Sequence, residues 1–94
     1  MLKEITGVLK KIVLERDEDN QPLKPEFNDF ICVVIIDDGG EYLQKYRLSV
    51  YNHDVFTLLG AINKNITITY EAIWYEFVVE DIKIKIDHFI KERN

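Results

Sequence analysis

The chain has 94 residues, a formal net charge of −5 and one cysteine, Cys32. This length is expected to give a single domain, residues 1–94, with one hydrophobic core. A lone cysteine excludes an intrachain disulfide and a multi-cysteine zinc site, and it favours a reducing, cytoplasmic setting. The acidic balance disfavours nucleic acid and anionic membranes as partners. No apolar run approaches the roughly 20 residues that cross a bilayer, so no membrane association is expected.

The first third of the chain is predicted to hold two strands joined by a long loop. Ile5–Leu14 and Phe30–Ile36 are rich in residues that suit a pleated sheet. Gly7 predicts a bulge or a sharp coil in the first strand. The polar segment Glu15–Asp29 contains two prolines and is predicted to be a loop. Within it, residues 16–28 are expected to be exposed and more mobile than the strands.

A hairpin is predicted next, because Asp37–Gly40 contains Asp-Gly and Gly-Gly, two strong turn signals. The following segment, Glu41–Tyr51, alternates between two faces of a third strand. One face holds Tyr42, Gln44, Tyr46, Leu48 and Val50. The other face holds Leu43, Lys45, Arg47, Ser49 and Tyr51.

A helix is predicted over Asn52–Ile62. Asn52 is expected to cap it, and Asp54 suits the positive end of the helix dipole. A broad apolar stripe predicts that the helix is buried and plugs one end of the sheet structure. Truncating a stripe residue should then leave a cavity, and Phe56→Ala is expected to cost about 3–5 kcal/mol. The stripe consists of Val55, Phe56, Leu58, Leu59 and Ile62.

Two further strands are predicted after the helix, over Ile66–Trp74 and Tyr75–Ile86. Trp74 and Tyr75 are expected at the turn between them. The apolar parity of the last strand shifts near Glu80 and Asp81, which predicts a bulge there. The remaining residues, His88–Asn94, form a charged tail that could make one helical turn.

The order strand-strand-strand-helix-strand-strand resembles the OB-fold class. The features that carry this resemblance are Gly7, the Asp37–Gly40 hairpin, the helix Asn52–Ile62 and the turn at Trp74 and Tyr75. The resemblance implies a mainly β fold, a five-stranded OB-like barrel with one helix between strands three and four. The alternative is an α+β roll, in which an antiparallel sheet packs on the helix.

A catalytic role is not expected, because no nucleophile elbow, phosphate-binding glycine loop or paired-histidine metal spacing is present. His53 and His88 lack partner motifs, and Cys32 is expected to be a buried apolar residue. The acidic segment Asp17–Asn20 departs from a calcium-loop pattern and is predicted to be a solvated turn. The chain is therefore predicted to be a non-enzymatic module with no cofactor and no metal.

Two kinds of ligand remain. The first hypothesis is single-stranded nucleic acid, bound by a basic face with aromatic residues on which bases stack. The second is a protein-interaction module, such as a small subunit or inhibitor, that uses apolar edges and the turn at Trp74 and Tyr75. Neither the oligomeric state nor the biological process follows from the sequence. The residues proposed to contact nucleic acid are Lys10, Tyr42, Lys45, Tyr46, Arg47, Tyr51, Trp74 and Tyr75.

Overall fold

The computed structural model describes residues 1–85. Its five strands close into a barrel in the order β1-β2-β3-β5-β4, and β4 pairs with β1 to complete the ring. This confirms the predicted mainly β fold with one helix between strands three and four, rather than the alternative α+β roll. The tail beyond residue 85, including His88, lies outside the described residues. The elements are β1 (Leu2–Leu14), β2 (Phe30–Asp37), β3 (Gln44–Val50), α1 (Asn52–Leu59), β4 (Asn65–Ile73) and β5 (Glu76–Ile84).

The long strand β1 is shared between two neighbours. Its first half pairs with β4 and its second half pairs with β2, and Val8 has a partner in both. Gly7 precedes this change of partner, where an added Cβ would lie 2.6 Å from the backbone oxygen of Asp37. The irregular pairing falls between Leu9 and Lys11, so the bulge predicted at Gly7 lies at Lys10 instead. Glycine is required at position 7 by close packing rather than by a bulge.

The hairpin from β2 to β3 is confirmed, with Ile36 opposite Gln44. Asp37 Oδ1 accepts a hydrogen bond of 3.0 Å from the backbone N–H of Gly39, whose φ of +90° suits glycine. The connection is longer than predicted. Tyr42 belongs to this connection and is exposed, whereas the sequence pattern placed it in the strand.

Inward-facing residues of all five strands and of the helix form one interior cluster. Cys32 belongs to it and has no exposed surface, as predicted. Burial raises the pKa of its thiol to about 12, and the negative charges of Asp54 and Glu15 act in the same direction. The interior cluster consists of Ile5, Leu9, Cys32, Val34, Ile36, Leu48, Val50, Val55, Leu58, Ala61, Ile66, Ile68, Tyr70 and Val79.

The start of α1 differs from the prediction, because Tyr51 rather than Asn52 is the N-cap residue. Asp54 Oδ2 accepts a hydrogen bond of 2.8 Å from the backbone N–H of Tyr51. The backbone N–H of Asn52 donates to Asp29 Oδ2 at 2.9 Å. Two carboxylates therefore hold the helix N-terminus, where the helix dipole favours negative charge.

The apolar stripe of α1 is only half buried, so the predicted placement of Phe56 is wrong. Val55 and Leu58 are buried in the interior cluster, but Phe56 is 66% exposed and Leu59 is 53% exposed. The helix is only eight residues long and ends at Leu59, three residues earlier than predicted. A single short helix presents one narrow face to the barrel, and this face excludes Phe56.

The last two strands follow the predicted pattern. Thr69 pairs with Asp81 and Tyr70 pairs with Val79, so Glu80 is the extra residue of a bulge, as predicted. Trp74 and Tyr75 form the turn between β4 and β5. These two residues lie at the end of the barrel where β3 begins, because β3 and β5 run parallel and pair through Ser49 and Val78.

Candidate binding groove

The connection between β1 and β2 has two structurally different halves. Its tip is exposed, and Asp17 Oδ1 accepts hydrogen bonds of 2.9 Å from the backbone N–H groups of Asp19 and Gln21. Arg16 and Pro22 form an isolated bridge that closes this tip. The predicted solvated turn at residues 17–20 is therefore confirmed. The predicted mobility of the connection stays a prediction.

The second half of this connection is attached to β3 and β5. The carboxylate of Glu76 accepts hydrogen bonds from the backbone N–H groups of Glu26 at 2.6 Å and Phe27 at 3.1 Å. The hydroxyl of Ser49 donates to the backbone oxygen of Phe27 at 2.5 Å. Asn28 Nδ2 donates to the backbone oxygen of Ser49 at 2.9 Å. Residues 26–28 are thus held against the outside of the barrel. Glu26 is exposed as predicted, but Phe27 and Asn28 are half-buried, which the prediction of an exposed segment missed.

Three buried residues lie under this attached segment. Ile31 is opposite Ser49, and Ser49 is opposite Val78, so the three residues form a row across β2, β3 and β5. All three are buried, yet none belongs to the interior cluster. Their side chains alternate with those of Cys32 and Leu48, which face inward. At this row, the outer surface of the barrel is therefore covered by the attached segment.

Two adjoining hollows lie beside this covered part and share Tyr75 and Glu76. We call the two together the binding groove. Pieces of the β1–β2 connection, the β4–β5 turn and β3 form its walls. The first hollow has a volume of about 320 Å³ and is lined by Glu26, Phe27, Trp74, Tyr75 and Glu76. The second has a volume of about 190 Å³ and is lined by Ile31, Lys45, Tyr46, Arg47, Ser49, Tyr75, Glu76 and Phe77.

Two large aromatic side chains project from the rim of the groove. Trp74 is 83% exposed and Tyr75 is 94% exposed. Trp74 also has a φ of 57°, in the left-handed region that bulky residues rarely adopt. A non-glycine residue held there costs about 1–3 kcal/mol, and such residues cluster at functional sites. The turn thus displays aromatic surface at a cost in stability.

The charges around the groove are mixed. Arg47 Nε lies 2.9 Å from Glu15 Oε2, so this guanidinium is paired within the chain. Lys45 is exposed and has no ion-pair partner among residues 1–85. Glu26 and Glu76 supply negative charge to the opposite wall. Within the described residues, the groove therefore has Lys45 without an ion-pair partner on the β3 side, and the carboxylates of Glu26 and Glu76 on the opposite side.

Only some of the residues predicted to bind a ligand come together. Lys45, Tyr46, Arg47 and Tyr75 line one hollow, and Trp74 lines the other. Tyr46 is half buried and packs against the interior cluster.

The remaining predicted residues line neither hollow. Tyr42 lies in the β2–β3 connection and Lys10 at the β1 bulge. The ring of Tyr51 stacks on that of His53 with 5.4 Å between centroids. Sequence reasoning missed Phe27, Glu76 and Phe77, because their place in the groove depends on the attachment of the β1–β2 connection to β5. The only sequence feature that could have indicated a binding role for Phe27 and Phe77 is that both are aromatic.

Comparisons with protein-family models, curated proteins and solved structures give no match. Within residues 1–85, no helix is long and apolar enough to cross a membrane. In the same part of the chain, no group of three or more His, Cys, Asp or Glu residues could hold a metal ion.

Proposed function

We propose that this chain is an OB-type binding module that captures a segment of a partner protein in the binding groove, without catalysis. The OB assignment is supported by the element order and by the ring order β1-β2-β3-β5-β4. In that class the loops after strands one and four flank the ligand cleft. The corresponding loops here are linked by the bonds from Glu26 and Phe27 to Glu76. A reducing, cytoplasmic location is part of this proposal.

The observation that carries the proposal is the exposed aromatic pair at the β4–β5 turn. Trp74 and Tyr75 are held beside a hollow that is mostly apolar, at a backbone conformation that costs stability. Tryptophan and tyrosine dominate the energetics of protein interfaces, because each supplies a large contact area and one hydrogen-bonding group. A partner side chain inserted between Phe27 and Tyr75 would bury aromatic surface on both sides.

Electrostatics favour a protein partner over a nucleic acid. Binding to phosphates depends on unpaired Lys and Arg side chains that release counterions from the strand. In the groove, Glu15 already pairs with Arg47, and Glu26 and Glu76 lie on the facing wall. The chain as a whole carries a net charge of −5, which opposes the approach of a polyanion.

Single-stranded nucleic acid is the second candidate, and one observation favours it. Lys11 is opposite Ile35, and Ile35 is opposite Lys45, so two exposed lysines share one row on the outside of β1, β2 and β3. Tyr75 lines the same hollow as Lys45. A strand lying along this row would contact both lysines with its phosphates and stack a base on Tyr75.

The test is a selection from a peptide library displayed on phage, followed by titration of the enriched synthetic peptides. Trp74 is the only tryptophan of the chain, so its fluorescence reports on the groove directly. We expect enriched peptides to bind the natural chain and to lose about tenfold or more in affinity when Tyr75→Ala is introduced. Phe56→Ala is the control, because it removes another exposed aromatic ring that lines neither hollow of the groove.

A parallel titration uses a labelled oligothymidylate at low and at physiological salt. Binding that is tighter than any peptide, that weakens steeply with salt and that weakens in Lys11→Gln and Lys45→Gln would replace the protein-interaction proposal with the nucleic-acid one. Failure of the library to enrich any peptide dependent on Tyr75 would overturn the proposal outright.

A further inference from the structure

The strand β3 has an edge that is open over part of its length. β3 pairs with β2 along all seven of its residues, from Gln44 to Val50. On its other side, within residues 1–85, the pairing with β5 consists of Ser49 opposite Val78 alone. Because β5 begins at Glu76 and runs parallel to β3, the earlier part of β3 extends past the β4–β5 turn.

The direction of the peptide groups on this edge follows from two hydrogen bonds. The N–H of Glu15 donates to the backbone oxygen of Ile31 at 2.9 Å, so the peptide groups of Ile31 face β1. Directions alternate along a strand, so those of Cys32 and Val34 face β3 and meet the groups of their partners Leu48 and Tyr46. The groups of Lys45, Arg47 and Ser49 must then face β5.

Ser49 confirms this direction independently. Its backbone oxygen accepts the hydrogen bond from Asn28 Nδ2 at 2.9 Å, away from β2. Ser49 is also the position that meets β5. The corresponding groups of Lys45 and Arg47 face the hollow of about 190 Å³ that Tyr75, Glu76 and Phe77 line on its far side. Backbone donors and acceptors of an edge strand are a template for another strand.

We propose that this edge binds an extended peptide of a partner protein by strand addition, with the peptide lying between β3 and the β4–β5 turn. This inference rests on the proposed function and adds the binding mode and the chemistry of the partner. The N–H and C=O groups of Lys45 and Arg47 pair with the backbone of the peptide. Alternate side chains of the peptide contact Tyr75 and Phe77 on one side of the added strand.

The charge of Lys45 selects a peptide that places a carboxylate beside an apolar or aromatic centre. Lys45 and Lys11 lie on one row of the outer face, and neither has an ion-pair partner within the described part of the chain. A carboxylate on the outward side of the added strand would meet Lys45. Glu26 lines only the hollow beside Trp74, where the peptide presents its apolar residue, whereas Glu76 lines both hollows.

The experiment uses a short peptide in which valine and glutamate alternate around one central phenylalanine, added to the natural chain. Amide hydrogen exchange is measured residue by residue. We expect exchange of the Lys45 and Arg47 amides to slow by about tenfold or more on binding, because both become hydrogen bonded. The amides of Tyr46 and Leu48 face β2 and should change little, which makes them internal controls.

Two chemical variants test the same contact. Peptides with single N-methyl groups at successive positions should show alternating loss of affinity, since only every second peptide N–H points to β3. Lys45→Glu should weaken binding by about fivefold at low salt and less at high salt. Lys83→Glu is the charge-matched control, because Lys83 lies near the C-terminal end of β5, opposite Thr67, and lines neither hollow.

The outcomes separate this inference from the proposed function. If peptides bind in a Tyr75-dependent manner but the Lys45 and Arg47 amides exchange as before, the groove binds protein without strand addition and the inference is wrong. If protection of these amides rises with the concentration of the chain alone, a second copy is the occupant and the inference is also wrong. If no peptide of any composition binds, the proposed function fails with it.

Discussion

The helix α1 and the β4–β5 turn both carry large apolar residues, but they differ in burial. In α1, Leu58 has no exposed surface and belongs to the interior cluster. In the turn, Trp74 and Tyr75 are almost fully exposed. Residues of the first kind stabilise the fold because they leave water. Residues of the second kind contribute little to folding, and their surface remains available to a partner.

The largest expected effect tests the buried side of this comparison. Leu58→Ala should lower the free energy of unfolding by about 2–5 kcal/mol, because it leaves a cavity among Val55, Ala61 and their barrel neighbours. Phe56→Ala, two residues earlier on the exposed side, should change it by less than about 1 kcal/mol. Urea unfolding of both variants measures the difference. Equal losses in the two variants would mean that the two sides of α1 are not buried as described.

The next effect tests how completely the thiol of Cys32 is removed from water. The pKa of Cys32 is about 12 in the fold against an ordinary value of 9.0. Above about pH 9 the unfolded chain therefore loses a proton that the folded chain keeps, so stability falls as pH rises. The expected slope is about 1.4 kcal/mol per pH unit up to the folded pKa.

The variant Cys32→Val isolates this contribution from other groups that titrate in the same range. Its unfolding free energy, measured by urea titration at successive pH values, should fall less steeply than that of the natural chain. Identical pH profiles for the two proteins would show that the thiol ionises as readily inside the barrel as in the unfolded chain.

A smaller effect concerns the start of the helix that carries Leu58. Asp54→Ala removes the acceptor for the Tyr51 N–H and should cost about 1 kcal/mol. Asp54→Asn keeps an acceptor oxygen but removes the charge, so it should cost less than alanine. Thermal unfolding of the two variants checks this order. A loss in asparagine as large as that in alanine would assign the effect to charge and not to the hydrogen bond.

The smallest effect on stability falls on the exposed side, and its sign is reversed. Trp74→Gly should raise the free energy of unfolding by about 1 kcal/mol, because glycine adopts a φ of 57° without strain. Trp74→Ala keeps the strain and should be close to neutral. Chemical unfolding followed by circular dichroism gives both values. If glycine destabilised the fold, the turn would have to be held by contacts of the indole ring.

The sequence predicted those parts of the fold that depend on local patterns. Runs of sheet-forming residues and alternation of apolar residues together located all five strands, and the parity shift located the bulge at Glu80. The turn signals Asp-Gly and Gly-Gly located the β2–β3 hairpin. These features are encoded in neighbouring residues, because a strand's two faces and a turn's backbone angles are local properties.

The candidate site was predicted only in part. Lys45, Arg47 and Tyr75 do line one hollow, since the strand order already placed β3 near the β4–β5 turn. Tyr42 and Tyr51 were expected on opposite faces of the third strand, but both lie outside β3, which is shorter than the alternating pattern. Phe27 and Glu76 are joined across 49 positions of the chain, a contact that no local pattern contains.

The sequence by itself determined the order of the elements, which residues share a face of β3, and the burial of Cys32. Only the tertiary structure decided which side of α1 is buried, because a short helix with apolar residues on several sides can pack in more than one orientation. It also decided that, among residues 1–85, Arg47 is paired with Glu15 while Lys45 has no ion-pair partner, and that the part of β3 beside Tyr75 is not paired with β5. These properties depend on where distant segments meet when the barrel closes. The alternation of residues along one strand does not specify which strand or loop will lie beside each of its edges.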